Sequence, residues 1–373
     1  MKQLTNNIFA FFALLRGGLW NQDVWLSDCG IVDYVEVQQL AEEQSVLGLV
    51  TAGMEHVKDK KVPQEVLLQF IGETLQLEQC NKEMNDFIGK LIGEMRKNDI
   101  YALLLKGQGI AQCYERPLWR APGDVDLLLS DSNYEKANSF FQNIGVLTEP
   151  EERFSRHVAY SVEQWLVELH GSLRCGLSFR MDRGLDEIRN AAFYGGEVRS
   201  WMNGKTCMFL MDESNDTVYV FAHLLKHFYK SGLGLRQICD WCRLLWTYKD
   251  SLNRGLLESR IRKMGLMSEW NAFAAFAVEY LGMPADAMPL YDKSVKWKRK
   301  ARKICSFILR DGNMGGNYET SYYSKSPYLV RKYISFTRRI GNLFRNASVF
   351  PFDSALFFLT ITFNGVRSVI RGE

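Results

Sequence analysis

The chain lacks the features that would mark several protein classes. It has no excess of one charge: 46 basic residues face 43 acidic ones, a net charge of +3, so nothing demands a nucleic-acid partner. It has no disulfide framework. Its eight cysteines (29, 80, 113, 175, 207, 239, 242 and 305) are spread widely, with one close pair, and read as reduced thiols of a cytoplasmic protein. No apolar run is long enough to span a bilayer. The longest uncharged one, residues 354–366, has 13 residues, so no transmembrane segment is expected. The apolar stretch 8–15 is broken by Arg16 without a small-residue cleavage pattern, so a signal peptide is not expected either. There is no internal repeat and no low-complexity segment.

What is present is an ordinary globular composition, 47% hydrophobic and 13% aromatic, over 373 residues. That length suggests two or three domains or subdomains. Residues 1–97 read as helical. Leu4, Ile8, Phe11, Leu15 and Leu19 recur near helical spacing, and so does the series from Val66 to Met95. Asp33 is placed to cap a helix whose apolar face carries Val37, Leu40 and Ala41. The pattern changes at Ile100. Short apolar runs at 100–105 and 125–129 read as buried strands, and 165–169, 197–201 and 206–210 as further strands. Residues 133–144 read as a helix capped by Asp131 or Ser132 and closed by Gly145. Helical periodicity returns over 215–230, 235–248, 255–265 and 268–281. The expected division is a helical region at 1–97, a mixed core at 98–212 and a helical region with a basic tail at 213–373. The tail's last 54 residues hold eight basic residues against two acidic ones. An amphipathic helix with a wet basic face is preferred there over an RNA- or membrane-binding surface.

The informative segment is Gly123-Asp124-Val125-Asp126-Leu127-Leu128-Leu129. On a strand, residues two apart share a side, so Asp124 and Asp126 present two carboxylates together. Such a pair is costly without a cation, and hard oxygen donors suit Mg²⁺ shared with substrate phosphates. Alone, this pattern is more often an ordinary solvated strand end. Upstream, Lys106-Gly107-Gln108-Gly109 reads as a strand-to-helix turn where backbone N–H groups approach a phosphate and Lys106 adds charge. Downstream, Glu168 and His170 repeat the two-residue spacing on another strand. Glu168 is a third metal ligand or a base, and His170 a contact to phosphate or acceptor.

Together these residues resemble the DNA polymerase beta-like nucleotidyltransferase superfamily: a glycine turn at Gly107, an Asp-x-Asp at Asp124 and Asp126, and a later carboxylate at Glu168. Within it the chain resembles a bacterial branch of uncharacterised nucleotidyltransferases, through "LLKGQGIAQCYERPLWRAPGDVDLLL", "VELHGSL" and "HLLKHFYKSGLGLRQICDW". Two departures are Gln108, where the superfamily has Ser or Gly, and a long gap between turn and Asp124. The resemblance implies an α/β (α+β) fold, a small mixed sheet flanked by N- and C-terminal helical regions. It implies transfer of an NMP, foremost AMP, from an NTP to a hydroxyl or phosphate acceptor, with Asp124, Asp126 and Glu168 as ligands of Mg²⁺ or Mn²⁺. It further implies nucleotide contacts from Lys106, Gly107, Gln108, Gly109, Arg120, His170, Lys226 and Arg236, and an acceptor left open among a sugar or sugar phosphate, another small molecule, a protein side chain and an RNA end, with a glycan-linked one the first guess. A non-catalytic binding protein that kept the fold is the alternative, and a nucleic-acid binder using the tail is a third.

In 223–242, His223 and His227 followed by Cys239 and Cys242 invite a zinc reading, but both cysteines fall in an apolar helical pattern and read as core. Arg236 and Asp240 have two open readings: Asp240 orients Arg236 toward substrate, or the two form a buried pair tying helices together.

Overall fold

The computed structural model describes residues 5–152, 156–312 and 328–370. Four helices come first: α1 (Asn6–Trp20), α2 (Tyr34–Glu43), α3 (Leu47–Met54) and the 34-residue α4 (Gln64–Lys97). Asp33 caps α2 as expected, accepting from the N–H groups of Val35 and Glu36. The α1 and α3 helices touch through glycine: a Cβ on Gly53 would lie 1.9 Å from the carbonyl oxygen of Leu14.

The central region holds β1 (Ala102–Leu105), α5 (Gly107–Ala111), β2 (Val125–Leu129) and α6 (Asp131–Ile144), then β3 (Val146–Glu152), β4 (His157–Val162) and β5 (Trp165–His170). It closes with α7 (Phe179–Tyr194), β6 (Val198–Asn203) and β7 (Thr206–Met211). Five strands form one mixed sheet in the order β1-β2-β5-β4-β3, while β6 and β7 pair separately as a hairpin. Only β2 and β5 are parallel, and they put Asp126 beside Glu168 and Leu128 beside His170. The β1, β2, β5, β6 and β7 strands and α6 fall where the periodicity predicts them, to within one or two residues. The N-cap of α6 is Ser130, one residue ahead of the expected cap. The β3 and β4 strands and α7 are not among the expected elements; β3 (VLTEPEE) is too acidic to read as a strand.

Alternation along the strands sorts residues between two apolar layers. Val125, Leu127 and Leu129 of β2, with Val167 and Leu169 of β5, pack on Phe87, Ile88 and Leu91 of α4 and Tyr134 and Phe141 of α6. Leu103, Leu105 and Leu128 face the other way, into a larger core shared by α1, α3 and the later helices. Asp126, Glu168 and His170 alternate with the first set, so the polar residues emerge on the side of the second core.

After the hairpin come α8 (Glu213–Lys230), α9 (Leu235–Thr247), α10 (Arg254–Met264), α11 (Met267–Glu279), α12 (Val295–Asp311), α13 (Tyr328–Ala347) and α14 (Pro351–Ile370). The first four match the expected helices. Val218, Phe221 and Leu225 of α8, Trp241 of α9, and Trp270 and Phe273 of α11 are fully buried together. The basic stretch forms α13 and α14 over the described residues. Its Lys325 lies outside them, as do Tyr322 and Tyr323. No described helix is long and apolar enough to cross a membrane.

Candidate active site

The side chains with chemistry converge where β2 begins, where β5 ends and β4 begins, and on the face of α8 opposite. Asp126 is buried, and its Oδ1 lies 3.0 Å from Lys106 Nζ and 2.8 Å from His170 Nε2. Asp124 sits just outside the strand and is exposed. Packing around it raises the pKa of its carboxyl first, and the nearby Glu168 and Asp126 carboxylates raise it further. Glu168 Oε2 is 3.0 Å from His157 Nε2 and 3.3 Å from His170 Nε2. Burial alone would raise the Glu168 carboxyl, but the bonds from the two imidazoles hold it well below the usual carboxylate range. Burial pulls the His170 imidazole down, and its contacts with Asp126 and Glu168 more than reverse that.

The turn after β1 is strained in a way that aims Lys106. Lys106 has φ +49° and Gly107 φ +44°. A positive φ at a lysine costs about 1–3 kcal/mol and persists only where surrounding structure enforces it. Here it brings Nζ to Asp126 and lets it donate to His223 Nε2 at 3.0 Å. His223 and His227 of α8 are held neutral. Burial lowers both, the positive Lys106 lowers them further, and His227 falls to about 3. A neutral His223 can accept the lysine proton donor without repulsion. His157, Glu168, His170, Tyr219, His223 and Lys226 line a cleft that opens between the sheet and α8.

Three expected nucleotide contacts are engaged elsewhere. The Gln108 side chain turns away from the cleft and donates to Asn81 and Asn85 of α4 at 3.1 and 3.0 Å. Gly109 serves packing: a Cβ there would come within 2.2 Å of Leu210, and its N–H donates to the Lys106 carbonyl. Arg120 is buried and gives a two-pronged ion pair to Asp240, with Nε to Oδ1 and Nη2 to Oδ2 both at 2.7 Å. Tyr114 donates to the same carboxylate at 2.7 Å. Asp240 therefore orients Arg120, not Arg236. The α5 helix is also a single short turn, so little macrodipole is available to a phosphate.

These buried contacts pin the loop that delivers Asp124. Asn81 donates to the carbonyls of Leu118 and Arg120, both at 2.8 Å, and Arg236 donates to those of Ala121 and Pro122. Arg236 also lies within 3.6 Å of where a Gly123 side chain would begin. Burial lowers its pKa, as does the neighbouring Arg120. Its role is loop anchoring from beside Asp124. Lys226 lines the cleft.

His157 is the site residue that sequence reasoning missed. It begins β4 and pairs across the sheet with His170. The alternation in HVAYSV is a strand signal that would have placed it there. Among the described residues, the His, Cys, Asp and Glu side chains grouped closely enough to hold one metal ion are His157, Glu168 and His170, whose ligand atoms lie within 4.8 Å of one another. Cys239 and Cys242 are free thiols buried in the core, as their apolar pattern implied.

The architecture is a small mixed sheet with flanking helices, carrying carboxylates paired across parallel strands beside a lysine-glycine turn. The model of a family described as uncharacterised nucleotidyltransferase matches residues 32–282, more than half of the chain, and the chain belongs to that family. No curated protein and no solved structure matches it.

Proposed function

We propose that the protein transfers a nucleoside monophosphate, AMP foremost, from an NTP to a hydroxyl or phosphate acceptor. The observation that carries this reading is the parallel register that sets Asp126 against Glu168, with Asp124 two residues before Asp126. The donor set is oxygen-rich, as Mg²⁺ or Mn²⁺ prefers. The crowding of Asp124 with Glu168 and Asp126 is a repulsion that a cation relieves. Asp124, Asp126 and Glu168 are the residues that would hold it, and a bound ion supplies neutralisation and orientation of the triphosphate.

The chain's own groups do the rest. Lys106 stands beside Asp126 and offers its charge to a phosphate oxygen, and Lys226 offers a second from across the cleft. The lowered pKa of Glu168 makes it a poor proton acceptor and favours the ligand role over the base role. The cleft admits the acceptor between sheet and α8, and its polar lining suits a sugar or another small polar molecule. The loop anchored by Arg120, Asp240 and Arg236 holds Asp124 in place, so the donor oxygens are preorganised.

The reaction is tested by incubating the protein with a small-molecule extract and an NTP labelled on either the α- or the γ-phosphate. Label from the α-position in a new product, with γ-label leaving in pyrophosphate, supports nucleotidyl transfer. Transfer of the γ-label to product would replace it with kinase chemistry. Nucleotide binding without either transfer would favour a binding protein that kept the fold.

A further inference from the structure

We propose that His157, Glu168 and His170 form a binding site for one divalent transition-metal ion of the Zn²⁺ or Co²⁺ class. The antiparallel pairing of β4 and β5 places His157 directly across from His170, and Glu168 lies two residues before His170 on the same face. Both Nε2 atoms approach the same Glu168 oxygen, at 3.0 and 3.3 Å. The imidazole centroids are 4.9 Å apart. All three ligand atoms fall within 4.8 Å of one another, so a single ion can reach them all with small side-chain adjustments.

The chemistry of the donors sets the kind of ion. Two imidazoles and one carboxylate are borderline ligands that favour first-row transition metals, whereas Mg²⁺ favours oxygen alone. Asp124 and Asp126 offer only oxygen, so the two ends of the site differ in metal preference, with Glu168 common to both. Three protein ligands leave a coordination position free, and the trio lines the cleft, so that position opens toward incoming molecules. The second imidazole, that of His157, follows from the strand register. Binding of the ion requires neither an NTP nor turnover.

Tag-free full-length protein, stripped with chelator and dialysed, is titrated with Co²⁺ while visible ligand-field absorption is recorded. The expected result is one Co²⁺ per chain, displaced by Zn²⁺ and not by Mg²⁺ at equal concentration. Losing an outer-shell partner of a metal ligand costs about 10–100-fold in affinity, so losing a direct ligand in His157→Gln weakens Co²⁺ binding by at least about 100-fold. The glutamine keeps a donor for Glu168, and an unchanged circular dichroism spectrum confirms that the variant folds. Asp124→Asn retains the Co²⁺ signal while losing Mg²⁺-dependent nucleotide binding, which separates this site from the nucleotide reading. No saturable Co²⁺ absorption in the wild type, or the same affinity in His157→Gln, overturns the proposal. So does loss of the signal in a folded Asp124→Asn.

Discussion

Replacing Asp240 with alanine removes the carboxylate on which the loop before β2 depends. The structure sets the magnitude. Asp240 is 5% exposed and accepts three hydrogen bonds, two from the Arg120 guanidinium and one from the Tyr114 hydroxyl. Deleting it leaves Arg120, itself 6% exposed, as a buried charge without its partner. Breaking such a pair costs about 3–5 kcal/mol, and a stranded buried hydroxyl adds about 1 kcal/mol. Urea unfolding followed by circular dichroism measures this as a fall in the transition midpoint at constant slope. The double variant Arg120→Met with Asp240→Leu removes both charges, and its stability returns to within about 2 kcal/mol of wild type. Nucleotide affinity stays impaired in the double variant, because the loop has lost its directional anchor. A loss below about 1 kcal/mol in Asp240→Ala would refute the claim that this pair holds the loop.

Gln108→Ala tests the reassignment of that residue: it destabilises the fold by about 1–3 kcal/mol in urea, because Asn81 and Asn85 lose a buried partner, and leaves NTP affinity within about twofold. Gly53→Ala forces a methyl onto the Leu14 carbonyl and costs about 1–3 kcal/mol by the same assay, separating α1 from α3. Glu269 in α11 is fully buried, and burial first, then Asp353, raises its carboxyl to about 8. Because the folded value is raised, its share of stability is complete below the unfolded carboxylate pKa and is lost as pH rises toward and through about 8. Thermal melts of Glu269→Gln should therefore lack the part of the wild-type decline seen between about pH 5 and 9.

Much of this architecture is legible in the residue pattern, and the exceptions have physical causes. Continuous apolar runs mark β1 and β2 because both faces of those strands are buried, and a period near 3.6 marks α10 because it lays one face on the shared core, whereas α8, α9 and α11 are apolar over most of their surface because they are buried nearly all round. The carboxylates on β2 and β5 are visible for the same reason: a charge inside an apolar strand stands out. The β3 strand carries glutamates and a proline, and β4 is not read as a strand beside it, so His157 is not picked out although its register partner β5 is. The glycine turn misleads in the opposite direction. Gly-Gln-Gly looks like a phosphate cradle, yet Gln108 belongs to a buried amide network and Gly109 to a close contact with β7, while the unusual backbone lies at Lys106. Spacing pairs Asp240 with Arg236, four residues away, whereas its partner is Arg120. Which arginine meets Asp240 depends on how α9 packs against a loop more than a hundred residues away.

The central claim is that Asp124 and Asp126 hold the metal that binds an NTP. It is tested most directly by thermal shift with a panel of NTPs and Mg²⁺ or Mn²⁺, comparing wild type with Asp124→Asn/Asp126→Asn. The account predicts metal-dependent stabilisation by one NTP in the wild type and none in the double variant. Stabilisation that survives in the double variant, or none in the wild type at millimolar NTP, would contradict it.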